Sequence, residues 1–210
     1  MRCCILAHTM KGRTLIAFLV MWVSLLLLAA LLSPYPGRAS SGSNLLQNPG
    51  FEEGTEGWLA DSPTTTEFIT VTQPVHSGDW AASLNRTDGV PGQIYIYQDV
   101  QGIIGGMAYT LGGYAYKNDQ NFGWVKLRLD WRDSSGSLLT VDSPLLTEDQ
   151  PAYQVLSTGS VLAPANATVA RVEGVAYIVS SNPQTPVFFD DLSFTFQGSQ
   201  VYLPLVVKNY

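Results

Sequence analysis

The sequence predicts an all-β protein, a jelly-roll β-sandwich, and three observations carry that prediction. From Asn44 onward no stretch places apolar residues at helical spacing. Gly, Pro, Ser, Thr and Asn punctuate the chain at intervals of about eight to twelve residues, the rhythm of short strands and turns. Between these breaks apolar and polar residues alternate, as they do where one face of a strand meets a core and the other meets water.

The elements follow in chain order. Residues Thr14 to Leu32 form an apolar run, flanked by Lys11 and Arg13 before it and SPYPGRAS after it, which is the three-part layout of an export signal. Residues 1–39 are therefore expected to be a signal peptide cut near Ala39, or an uncleaved N-terminal anchor, since the run is close to membrane-spanning length. Further on, Ile94, Ile96, Gln98 and Val100 oppose Tyr95, Tyr97 and Asp99. Tyr109, Leu111, Gly113 and Ala115 oppose Thr110, Tyr114 and Tyr116. In GWVKLRLDWRD, Val125, Leu127, Leu129 and Trp131 share an inner face, and Trp124, Lys126, Arg128, Asp130 and Arg132 the outer one. Asp133 to Gly136 is a hairpin turn by composition. In ATVARVEGVAYIV, Ala170, Val172, Gly174, Ala176 and Ile178 point inward, with Arg171, Glu173 and Tyr177 outside. About eight or nine strands result, which suits a jelly roll over residues 40–196. Residues 197–210 are an apolar tail, VYLPLVVKNY after a FQGSQ spacer, expected to be an edge strand or an attachment tag.

Composition narrows the function. Beyond residue 39 the chain keeps 17 Asp and Glu against 7 Lys and Arg, a net charge of −10, and no cysteine. Such an acidic surface argues against nucleic acid and anionic lipid as partners, and the missing thiols exclude a cysteine nucleophile or thiolate metal site. Only His76 remains among the histidines, so a triad would have to be built on it.

Three motifs carry a family resemblance: NLLQNPGFEEGTEGW (Asn44 to Trp58), HSGDWAASL (His76 to Leu84) and VFFDDLSF (Val187 to Phe194). Together they resemble carbohydrate-binding modules of families 4, 9 and 22, jelly rolls of the galactose-binding-like superfamily. The resemblance covers roughly residues 44 to 196. It implies a secreted, non-catalytic module with a structural calcium ion and a glycan site on one sheet or edge.

Strand parity aims Asp190 inward with Leu192, Phe194 and Phe196, where an unpaired carboxylate is costly. A cation or a set of backbone amides would satisfy it. Glu52 is the matching second carboxylate, since calcium takes six to eight oxygens from carboxylates and carbonyls. By the resemblance, carbonyls of Gly50, His76 and Asp79 complete the calcium shell; Asp191 is the weaker candidate.

Sugar binding needs flat aromatic surfaces and fixed polar groups. Tyr95, Tyr97, Tyr114, Tyr116, Trp124, Lys126, Arg128 and Tyr177 share the non-core parity and form one groove if their strands are neighbours. Trp58, Trp80 and Trp131 are expected in the core. The expected function is non-catalytic binding of an extracellular polysaccharide or oligosaccharide by a secreted or cell-surface protein, with no enzyme activity. The alternatives are an adhesion or envelope protein that holds protein partners, and a glycoside hydrolase, for which parity offers only Glu173 and Asp130 as a carboxylate pair.

Overall fold

A computed structural model describes residues 42–180 and 185–197. The export-signal and tail expectations, residues 1–39 and the tail beyond Gln197, lie outside them. Ten strands form in chain order: β1 (Leu59–Ala60), β2 (Thr66–Val71), β3 (Ala81–Arg86), β4 (Gly92–Gln101), β5 (Ala108–Tyr116), β6 (Phe122–Asp133), β7 (Gly136–Asp142), β8 (Gln154–Leu162), β9 (Val169–Ile178) and β10 (Val187–Gln197). They make two antiparallel sheets, one ordered β1-β4-β9-β6-β7 and the other β2-β3-β10-β5-β8. No helix occurs among the described residues, and the all-β sandwich expected from the alternation is what forms.

The core lies between the sheets. Ile94 and Ile96 of β4, Leu127, Leu129 and Trp131 of β6, and Val172 and Ala176 of β9 are buried from one side. Leu84, Leu111, Phe189 and Phe194 meet them from the other. Gly174 has a packing role here: a methyl group on it would come within 3.1 Å of the Phe189 ring. Gln98 points inward, as its parity requires, and is satisfied there. Its Nε2 donates to the carbonyls of Gln47 and Gly57 (both 3.0 Å), and its Oε1 accepts from the Gln47 amide (2.8 Å).

Three expectations need correction. Trp58 and Trp131 are core residues, but Trp80 is 38% exposed, because it precedes β3 in the turn and no strand carries it inward. Asp190 does not share the side of Leu192 and Phe194. Phe188 and Asp190 pair with Tyr116 and Tyr114 on the outer side of β5, and the register shifts between Asp190 and Ser193. Asp191, at φ 46°, is the extra residue of this bulge, so parity counted from Leu192 backward is off by one. Asp190 is buried all the same, because residues 76–77 fold over it. Finally, the outer face of β6 is not simply wet, since Lys126 and Asp130 are buried there.

Candidate functional site

Cross-strand register assembles the site on the outer face of the first sheet. Four rows run across β4, β9 and β6: Gln93–Tyr177–Trp124, Tyr95–Val175–Lys126, Tyr97–Glu173–Arg128 and Asp99–Arg171–Asp130. Side chains directly opposite on one face are in contact range, so each row is a physical neighbourhood. Residues of β9 form a low floor, Val175 and Glu173, both buried. Tyrosines of β4 and long cations of β6 flank β9 on either side and close over this floor, where Val175 is fully buried; the strip between the flanks is the trough.

Its ends are closed by paired groups. At one end the Trp124 and Tyr177 rings stack, with centroids 5.4 Å apart and planes 12° from parallel, and Lys126 Nζ lies 4.8 Å from the Trp124 centroid. At the other, Arg171 grips Asp99 through two hydrogen bonds (2.7 and 2.8 Å), its guanidinium lying 4.1 Å from the Tyr97 centroid. Asp142 on β7 accepts from Lys126 Nζ (2.5 Å) and Arg128 Nε (2.9 Å). These cations hold Asp142 below the usual carboxylate range against the opposing effect of its burial. Asp130 accepts from Ser137, Thr140 and Arg132.

Glu173 is different. It is 6% exposed, and its Oε2 has no hydrogen-bond partner. The nearest cation, Arg128 Nη1, is 3.6 Å away, beyond hydrogen-bond reach. Burial, helped by Asp130 and Asp142 and opposed by Arg128 and Arg171, pushes this carboxyl up to about 7. Burial together with the Glu173 charge also raises the Tyr95 hydroxyl.

Of the sequence-selected ligand residues, Tyr95, Tyr97, Trp124, Lys126, Arg128 and Tyr177 come together here. Tyr114 and Tyr116 do not, because β5 belongs to the other sheet. Tyr114 stacks on His76 (3.5 Å, 16°), while Tyr116 packs edge-on against Tyr153 and Phe188. Those rings hold the 72–80 loop against the second sheet. Glu173, Arg171 and Asp142 were not selected as ligand residues, although the outer parity of Glu173 and Arg171 was readable.

The candidate metal residues also converge. Gly50 lies beside Asp190, Asp191 and Glu52: a methyl on its α-carbon would sit 3.8, 3.6 and 3.8 Å from their side chains. Glu52 accepts from the Asp79 amide (3.1 Å to each oxygen) and the Trp80 amide (3.3 Å). Asp190 accepts from the amides of His76 (2.7 Å), Ser77 (3.2 Å) and Asp191 (2.7 Å). Burial raises its carboxyl against the lowering effect of those amides. The one ion pair formed by these three carboxylates among the described residues joins His76 Nδ1 to Asp191 (2.6 Å). Carboxylate oxygens are the donors a hard cation takes, but in this structure they are engaged by backbone amides and the His76 ring. Among the described residues no three His, Asp or Glu side chains surround a common point, so main-chain carbonyls would have to supply much of the shell.

No family model matches the chain, and no curated protein does. Solved structures do. The CBM22-1 xylan-binding domain of Paenibacillus barcinonensis Xyn10C is 15% identical with a TM-score of 0.57, over 77% of this chain and 99% of that one. TmCBM61 in complex with β-1,4-galactotriose is 18% identical with a TM-score of 0.51, over 74% of this chain and 99% of that one. The enzymatically active domain of bacteriophage CBA120 tailspike protein 4 also matches (11% identity, TM-score 0.55), over 73% of this chain but 21% of that one. The chain thus spans about a fifth of the tailspike domain but nearly the whole of the two binding modules. Its fold is the jelly-roll sandwich of carbohydrate-binding modules.

Proposed function

We propose that the protein is a secreted, non-catalytic module that binds a polysaccharide or oligosaccharide in the trough along β9. The observation that supports this most is the grouping of four aromatic rings, Tyr95, Tyr97, Trp124 and Tyr177, on one outer face. Pyranose rings offer apolar faces to aromatic side chains and hydroxyls to fixed polar groups, and the trough provides both. Arg128 is held by Asp142, so it presents a fixed donor instead of a mobile charge, while buried Lys126 braces Asp142 and the Trp124 ring from beneath.

The ligand class proposed is a β-linked glycan chain. The fold neighbours include a xylan-binding domain and a module in complex with β-1,4-galactotriose, and a trough running along a strand admits a chain lengthwise. Calcium is proposed as a structural ion between the 48–56 loop, the 76–80 turn and Asp190. Glu52 and Asp190 would hold it, with Gly50, His76 and Asp79 contributing carbonyl oxygens, and it would neutralise the carboxylates there. The ion would lie on the second sheet's side, where Tyr114 and Tyr116 pack, and take no part in the trough.

Affinity electrophoresis on xylan, β-glucan, mannan and β-1,4-galactan tests the reading. At least one gel should retard the protein, and Trp124→Ala should weaken retention about tenfold, about 1.4 kcal/mol. Unchanged retention by folded Trp124→Ala would move the site elsewhere; no retention on any gel would leave the trough without a glycan.

A further inference from the structure

Two strands end each sheet, and three of the four are guarded as edges. β1 has two residues, β2 carries exposed Glu67, and β7 ends in Asp142. The fourth, β8, reads QVLSTGSVL and has neither a charge nor a proline, the devices that keep a strand edge from pairing with another chain. Its one interruption is the bulge at Thr158. Val155 and Leu162 of this strand are 70% and 66% exposed, the two highest values among the large apolar residues described. No described strand pairs with the outer side of β8.

The main chain of this edge is receptive at a definite point. The Ala163 amide donates to the Met107 carbonyl (2.9 Å). Successive residues of an antiparallel strand turn their N–H and C=O to opposite sides, so Leu162 presents both to the side away from β5. The end of β10 lies in the same row, because Gln197 pairs with Ala108 and Ala108 with Leu162. From there the sequence continues for 13 residues, GSQVYLPLVVKNY, in which only Lys208 is charged. Both β10 and β8 are antiparallel to β5, so a chain that turns back after Gln197 runs antiparallel to β8. Reaching the outer side of β8 from β10 takes three strand spacings, about 14 Å. Residues 198 to 201 extend over at most about 14 Å, enough to bring Val201 beside Leu162.

We propose that residues 201–208 add to β8 as a sixth, antiparallel strand of the second sheet, with Val201 opposite Leu162. In that register Val201, Leu203, Leu205 and Val207 bond to β8 through the main chain. Their side chains stand on the outer face, in line with Leu162 and Val155. Pro204 has the other parity, so it turns away from β8, where a missing N–H costs no ladder bond. It also meets Gly159, next to the bulge that already interrupts the ladder. The tail thereby covers the one edge that no charge guards, and its apolar residues serve the fold instead of attachment to a surface. This inference is independent of the glycan reading.

Hydrogen–deuterium exchange read by mass spectrometry tests it on the full chain, on a chain ending at Gln197 and on Leu205→Pro, which removes one proposed ladder bond without shortening the chain. Peptides covering residues 154–162 should exchange about tenfold slower in the full chain than in the chain ending at Gln197. Leu205→Pro should speed exchange there as well, while peptides from β7 keep their rate in all three. Sedimentation at two concentrations should show the protected full chain to be a monomer. Equal exchange of residues 154–162 in the full and shortened chains overturns the proposal, and so does protection that Leu205→Pro leaves intact. Protection that appears only in a dimer also overturns it, because a second copy would then occupy the edge. Should the shortened chain fail to fold, Leu205→Pro against the full chain decides alone.

Discussion

Gly78 shows how strictly single residues are constrained in the loops that meet at Asp190. It sits at φ +68°, where a side chain is strained, and a methyl there would come 2.0 Å from Glu52 Oε1. Glu52 cannot simply swing away, because it accepts from the amides of Asp79 and Trp80. Gly78→Ala should therefore cost about 1–2 kcal/mol from the left-handed backbone alone. Displacement of Glu52 adds to this, and the drop in denaturation midpoint measures the sum. A midpoint equal to wild type would mean that Glu52 does not brace the turn. Not every residue at this scale could be read from sequence. Trp131 and Trp58 fall where parity and motif put them, while Trp80 stands in the same motif as buried Ala81 and Ala82 yet is exposed. A motif says that a turn occurs there but not which way a ring leaves it. Glu173 is the opposite case: its outer parity was visible, but its burial was not, since the Tyr97 and Arg128 that flank it come from other strands.

Strands were the most legible level. Alternation assigned inner and outer faces correctly for β4, β5, β6 and β9, because a period of two leaves no ambiguity while the ladder stays regular. It failed at β10, where the bulge at Asp191 adds a residue and reverses the parity of everything before it. The bulge has a steric counterpart on β5. Gly113 lies against it, and a methyl on Gly113 would come 2.4 Å from Leu192 Cδ2 and 3.1 Å from Leu192 Cα. One of those contacts is backbone, so the strand would have to move. Gly113→Ala should destabilise the protein by about 1–3 kcal/mol, in the range of overpacked cores. Urea denaturation checks this, and a change under about 0.5 kcal/mol, the size of a neutral surface substitution, would mean that the bulge relaxes freely.

Sheet membership, a property of the whole molecule, lay beyond what alternation could say. Tyr95 and Tyr114 have the same outer parity, yet β4 and β5 are in different sheets, so their rings lie on opposite outer faces. Long-range pairing decides this, and local pattern carries no record of it. The two faces consequently differ in kind. One bears the trough; on the other, rings and carboxylates secure the crossing of three chain segments, with Asn44 adding bonds to Leu192 and Phe194. If calcium occupies that crossing, it ties residues distant in sequence and belongs to the native state alone. Binding to the folded form raises stability by an amount set by mass action, about 2.7 kcal/mol at a hundred times the Kd. Chelator should lower the melting temperature and excess calcium restore it, with Asp190→Asn abolishing the response. Because the trough lies on the other sheet, glycan affinity measured well below the melting temperature should change little with chelator. A melting temperature indifferent to calcium would leave the backbone amides of His76, Ser77 and Asp191 as the sole partners of Asp190. A large loss of glycan affinity in a still-folded, chelated protein would instead couple the two faces through the core between them.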